Sequence, residues 1–265
     1  MSPDILFWLA LILKMAVTAG FVLGATIVAE RMGPLIGAMV ATLPVSTGPT
    51  YVFLALDHDS SFLATSALMS AATTAALAVF SLVYAVLARR CGLLVSLGIA
   101  LVVWFALVTV LQAVTWTPLE VFLLNAVAIL VCFSLARQLP VVSMPRLRTY
   151  WYDMALRAGS VALLVALVVG LSFSIGPRWT GPLAVFPIVL SSVAVILHTR
   201  VGGPAVATVF ANTILGFVGF GSALWTLSVT VVPFGPVIAL LLGFCVSLGW
   251  SFLVIGVQRA RQRRG

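Results

Sequence analysis

The chain has 265 residues, of which 63% are hydrophobic and only 8% charged, with a mean hydropathy of +1.25. That balance excludes a soluble globular domain and leaves no space for one between the apolar runs. A net charge of +8 would suggest nucleic acid as partner of a soluble protein, but here the basic residues lie between apolar runs, where they set topology.

Charges, prolines and glycines divide the sequence into nine apolar spans: 5–29, 33–56, 62–88, 93–114, 119–137, 150–173, 180–199, 204–231 and 235–257. Each is near the ~20 residues needed to cross ~30 Å of hydrocarbon. The first span opens behind Asp4 rather than a basic cluster, and its apolar run continues past ~15 residues, so it is expected to be kept as a span and not cleaved as a signal peptide. Lys14, the only lysine, lies near mid-depth in it. A cation there must face the bundle interior, pair with another group, or meet an anionic substrate.

The second span, "GPLIGAMVATLPVSTGPTY", carries Pro34, Pro44 and Pro49. A proline inside a helix removes a donor and clashes one turn back, at about 3 kcal/mol. Pro44 falls ~16 Å into the span at 1.5 Å per residue, close to the midplane. The stretch therefore reads as one half-helix ending at Pro44 and an unwound turn over Val45 to Gly48. A second half-helix is begun by Pro49 at its first position, with Thr50 behind it. Ser46 and Thr47 are placed to cap or line the opening.

Further along, Asn125 is a polar residue within the fifth span. At the start of the sixth, Asp153 and Arg157 stand one turn apart, the spacing of a cytoplasmic-side helix pair, with a gate or coupling site as the alternative. The seventh span has Pro187 near its middle, followed by Ser191 and Ser192. The eighth carries Asn212 and Thr213, which either glue helices together or line a pore, and then "GFVGFG" (216–221), whose small residues favour close helix packing.

If the nine spans simply alternate, Arg31, Arg89, Arg90, Arg137, Arg146, Arg148, Arg200, Arg259, Arg261, Arg263 and Arg264 all fall on one side and only Arg178 on the other. The positive-inside rule then puts the N-terminus outside and the C-terminus in the cytoplasm of a bacterial-type inner membrane. The tail "QRARQRRG" is expected to face anionic lipid head groups.

One shift of 143 residues lays "GPLIGAMVATLPV" on "GPRWTGPLAVFPI". Gly33-Pro34 falls on Gly176-Pro177, and Leu43-Pro44-Val45 on Phe186-Pro187-Ile188. Asp57 falls on Arg200 and Ser70 on Thr213. The same shift registers spans one to four on spans six to nine, leaving the fifth as connector. The units are 1–115, a connector at 116–147, 148–258, and the basic tail 259–265. Five spans separate equivalent positions, so the copies insert in opposite senses, as an inverted-topology repeat.

Chemistry motifs are absent. There is no GxSxG, P-loop or GxGxxG, and no clustered carboxylates, so an enzyme is not expected. His58 and His198 lie on opposite sides, and Cys91, Cys132 and Cys245 are scattered without metal-ligand spacing. Neither cofactor nor metal is implied.

The fold class expected is an all-α polytopic membrane protein of nine helices in a four-plus-one-plus-four inverted repeat, with helices two and seven discontinuous. Its plan resembles inverted-repeat carriers with crossed discontinuous helices, such as the sodium/proton antiporters and bile-acid symporters, in architecture alone. The absence of a membrane-embedded aspartate pair argues against antiporter chemistry. The function expected is alternating-access transport of a small anionic, amphipathic or lipid-like solute. A channel, a lipid flippase or a non-transporting scaffold subunit are the alternatives, and a homo-oligomer is compatible with each. The candidate binding residues are Lys14, Pro44, Ser46, Thr47, Gly48, Thr50, Pro187, Ser191, Ser192, Asn212 and Thr213.

Overall fold

The computed structural model describes residues 3–31, 47–142 and 151–262, and every element among them is a helix. In chain order these are α1 (Pro3–Arg31), α2 (Thr47–Asp57), α3 (Ser60–Leu87), α4 (Leu93–Gln112), α5 (Pro118–Ala136), α6 (Trp151–Ala184), α7 (Ile188–Val201) and α8 (Gly203–Gln262). Five helical stretches are long and apolar enough to cross a membrane. Two of these contain a sharp break: α6 turns at Gly176 (φ 71°, ψ 173°) and α8 at Gly235 (φ 79°, ψ 166°). Only glycine takes that backbone conformation without strain. In each case proline follows at the first position of the next helix, where its missing N–H is no loss. The pieces are α6a (151–175), α6b (177–184), α8a (203–234) and α8b (236–262).

Local chemistry sets the other boundaries. Asp59 caps α3 by accepting from the Phe62 N–H at 2.8 Å and from the Ser61 hydroxyl at 2.9 Å. Thr117 and Glu120 form a reciprocal capping box around Pro118 at the start of α5. Arg178 donates to the carbonyls of Gln112 and Val114, both at 2.7 Å, and so closes the C-terminal end of α4 with a cation.

The centre of the bundle is α3. Its buried face is largely alanine and hydroxyl: Ala67, Ala71, Ala72, Ala76, Ala78 and Ala85, with Ser66, Ser70, Thr73, Thr74 and Ser81 all fully buried. Small side chains let neighbouring backbones approach, which in lipid replaces the hydrophobic drive for helix association. At Gly203 the approach is so close that a Cβ would overlap the Ala88 carbonyl. The start of α8a therefore lies against the end of α3, and the two run antiparallel. By contrast α4, α5 and α8b turn large apolar side chains outward, among them Leu94, Val102, Leu130 and Val237, as lipid-facing helices do.

Contacts fix which turns share an end of the bundle. Tyr84 bonds His198 at 2.8 Å, Arg89 donates to Pro140 O at 2.8 Å, and the Val142 N–H reaches the Thr208 hydroxyl at 3.1 Å. Arg89, Arg90, Arg137 and Arg200 thus gather at one end. The other end holds the 57–60 turn, with His58 on Ser172, and the Gln112–Arg178 contacts. The segregation of arginines expected from alternating spans is present among these residues.

Helix starts also repeat: Ser60 and Gly203 are 143 residues apart, and so are Leu93 and Pro236. Those two pairs of starts share the shift seen in the sequence.

Candidate functional site

The second break stands where Pro187 predicts it. The half-helix α6b ends at Ala184, residues 185–187 are non-helical, and α7 begins at Ile188. Backbone bonds hold the turn: Val185 N–H to Pro182 O at 3.2 Å, Phe186 N–H to Leu183 O at 3.1 Å and Ile188 N–H to Phe186 O at 2.7 Å. The residues expected to form the first break lie in part outside the described residues, which include neither Pro44 nor Ser46. The expected unwound turn does not extend to Gly48. Thr47 and Gly48 are already helical and Pro49 is the third residue of α2, not its first. Proline is tolerated there because the first turn has no intrahelical acceptor for its N–H groups.

Four carbonyls of α6b are taken by side chains from three other helices. Ser66 donates to Pro177 O at 3.2 Å, Gln112 to Arg178 O at 2.8 Å, Ser70 to Gly181 O at 2.6 Å, and Thr47 to Ala184 O at 3.3 Å. Irregular backbone survives in an apolar bundle only when its polar groups are satisfied this way. Pro182 has no N–H to give Arg178 O, and Gln112 supplies the missing donor. The Ser70 hydroxyl has a single proton and spends it on Gly181, so the Tyr51 hydroxyl must donate to Ser70, at 2.7 Å. The bond from Thr47 joins the start of α2 to the end of α6b, beside the 185–187 break.

Among the described residues, three polar groups around the break are not spent. The Ser191 hydroxyl, in the first turn of α7, is buried and has no partner among the described residues. The N-terminus of α7 has no side-chain cap. The Trp104 indole N–H is also buried without a partner among the described residues; Trp104 is 2% exposed and stands edge-on to Phe186 with ring centroids 5.3 Å apart. An unpaired donor in a low-dielectric interior costs about 1–3 kcal/mol.

The remaining candidates divide. Thr50 is buried on α2, while Gly48 is half-buried. Ser192 returns its hydroxyl to Val189 O at 2.7 Å and Thr213 to Val209 O at 2.9 Å. Asn212 is exposed. Lys14 is drawn away from the break to Asp57, at the far end of α2, at 2.5 Å. Asp153 is gripped by both guanidinium nitrogens of Arg200, at 2.7 and 2.6 Å, a partner from another helix that the one-turn spacing to Arg157 does not reveal. Asn125 donates to Ala71 O at 2.8 Å and so ties α5 to α3.

Sequence reasoning passed over Ser66, Ser70, Tyr51, Gln112 and Trp104. A tryptophan in mid-span rather than at an interface was a signal for the last. The serines had none, since their role depends on which backbone crosses them. No group of three or more His, Cys, Asp or Glu able to hold a metal occurs among the described residues. Comparison with protein-family models, curated proteins and solved structures gives no match.

Proposed function

We propose that this membrane-embedded chain is a secondary transporter moving a small solute by alternating access, with its site at the two helix breaks. The architecture is nine membrane helices in a four-plus-one-plus-four inverted repeat. Its N-terminus faces outside and its C-terminus the cytoplasm of a bacterial-type inner membrane. The observation that carries the reading is the Thr47–Ala184 hydrogen bond, which joins the start of one half-helix to the end of another. Discontinuous helices meeting between repeats are where secondary carriers bind substrate. The coincident helix starts 143 residues apart and the antiparallel run of α3 and α8a support the inverted repeat.

The unspent groups define the substrate's chemistry. The Trp104 N–H, the Ser191 hydroxyl and the uncapped start of α7 all welcome a hydrogen-bond acceptor, and Phe186 with Trp104 offers an apolar face. The solute is amphipathic, with a carboxylate or carbonyl group. Lys14, already neutralised by Asp57, is not needed to hold it.

The test uses single cysteines, Thr47→Cys and Ser191→Cys, in a chain whose native cysteines are replaced. Transport requires at least one of them to react with aqueous thiol reagents from at least one face. A library of carboxylate metabolites and lipids should then contain a compound that raises the melting temperature of the purified protein. Inaccessibility of both positions from both faces overturns the reading.

A further inference from the structure

We propose that the ion pairs Lys14–Asp57 and Asp153–Arg200 are the two gates of this carrier, one at each end of the bundle, opening in alternation. The proposal rests on the transport reading above. Its geometry is independent of it.

The two pairs do the same mechanical job. Asp57 is the last residue of α2, and Lys14 ties it to α1 at 2.5 Å. Arg200 lies in the last turn of α7, and Asp153 ties it to α6a at 2.6 Å. In each half, then, a charge on the long helix opening that half clasps the C-terminal end of the short helix α2 or α7. Matched by the 143-residue shift, Asp57 corresponds to Arg200 and Lys14 to Arg157. The sign of charge on the short helix is reversed, and the form of the clasp is kept.

The pairs lie at opposite ends. Asp57 precedes the start of α3, whereas Arg200 precedes Gly203, which rests on the Ala88 carbonyl just past the end of α3. The 28 residues of α3 put about 42 Å between those turns at 1.5 Å per residue.

Their setting suits a gate. The side chains of Lys14 and Asp57 are 17% and 21% exposed, and those of Arg200 and Asp153 are 22% and 5% exposed. A pair shielded to this degree holds while water is excluded and weakens as water enters, because the attraction falls with rising dielectric. Phe53 beneath Lys14, 5.9 Å away, and Tyr152 beneath Arg200, 5.3 Å away, keep each cation at its post by cation–π contact. α7 begins at the 185–187 break, and Thr47 ties the start of α2 to the residue before it, Ala184. Swinging either short helix outward to admit solute separates the pair at its own end and leaves the other closed.

The experiment reads reciprocity. Thr18 lies one turn beyond Lys14 on α1 and is fully buried, and Val161, the residue matched to it by the shift, is 1% exposed on α6a. In a chain with Cys91, Cys132 and Cys245 replaced, Thr18→Cys and Val161→Cys are the reporters, labelled by a membrane-impermeant maleimide from either face. Asp57→Asn should raise labelling at Thr18→Cys from the Asp57 face by about three- to tenfold, and lower labelling at Val161→Cys from the opposite face by a similar factor. Asp153→Asn should do the reverse. The charge-swapped doubles Lys14→Asp with Asp57→Lys, and Asp153→Arg with Arg200→Asp, should restore the parent rates, which separates gating from misfolding. A rise at one end with no fall at the other overturns the proposal, as does a swapped pair that labels like an opened end. If that happens while Thr47→Cys and Ser191→Cys still react from water, transport stands and the gates are elsewhere. If those positions are inaccessible from both faces, it is the transport reading that fails.

Discussion

Gln112 donates its side-chain amide to the Arg178 carbonyl at 2.8 Å, and Arg178 returns its guanidinium to the Gln112 carbonyl at 2.7 Å. One exchange closes the end of α4 and repairs the bond that Pro182 removes from α6b. Gln112→Leu should therefore destabilise the protein by about 1 kcal/mol. In a Pro182→Ala background the restored N–H serves Arg178, and the same change should cost measurably less. A double-mutant cycle on melting temperatures reads the coupling, and additive effects would refute it.

Gly181 crosses α3 where an added Cβ would overlap the Ser66 carbonyl and come within 2.9 Å of both the Met69 Cβ and the Ser70 N. Two of those three neighbours are backbone, which cannot swing aside. Gly181→Ala should lose about 1–3 kcal/mol. Gly20→Ala, on exposed α1 with nothing within 4 Å, should be neutral or slightly stabilising. Thermal unfolding in detergent compares the two directly.

Ser70 sits in a relay from Tyr51 to Gly181, all of it buried. Ser70→Ala orphans both a hydroxyl and a carbonyl and should cost about 2 kcal/mol, whereas Tyr51→Phe removes one end only and should cost about 1 kcal/mol. Equal losses would show that the relay does not act as a unit.

Burial holds the His58 imidazole below its ordinary pKa of 6.5, against the pull of Asp57 and Asp59 and with the repulsion of Lys14. The folded state thus binds the proton less readily than the unfolded chain. Stability from this group is intact above pH ~6.5 and declines as pH falls from there toward the folded value. His58→Gln should flatten that part of the profile, measured as the difference in melting temperature between about pH 7.5 and pH 5.5. An unchanged profile would place the titration elsewhere.

What could be read from the sequence is uneven, for physical reasons. Apolar length marks a membrane helix without reference to neighbours, so helices starting at Ser60, Leu93 and Pro118 lie within two residues of where their spans were drawn. Proline and glycine act locally too: Pro187 ends α6b within a few residues, and Gly176-Pro177 and Gly235-Pro236 mark turns. Thr47 was legible as a residue near the start of a half-helix, though the helix begins two residues earlier than expected. Partners are another matter. Nothing near Asp153 in sequence indicates Arg200, 47 residues away, and nothing near Ser70 indicates Gly181, 111 residues away.

Hydropathy, proline stereochemistry and glycine's left-handed freedom are properties of short segments, so the apolar helices and the turns at Gly176-Pro177, Pro187 and Gly235-Pro236 could be read from the residues alone. Which donors meet the orphaned carbonyls of α6b, that Lys14 belongs to Asp57, and that Ser191 and Trp104 find no partner among the described residues came from the packing of the helices. Those outcomes depend on which helices cross and how closely, and small residues such as Gly181 and Gly203 control that approach without announcing whose backbone they admit.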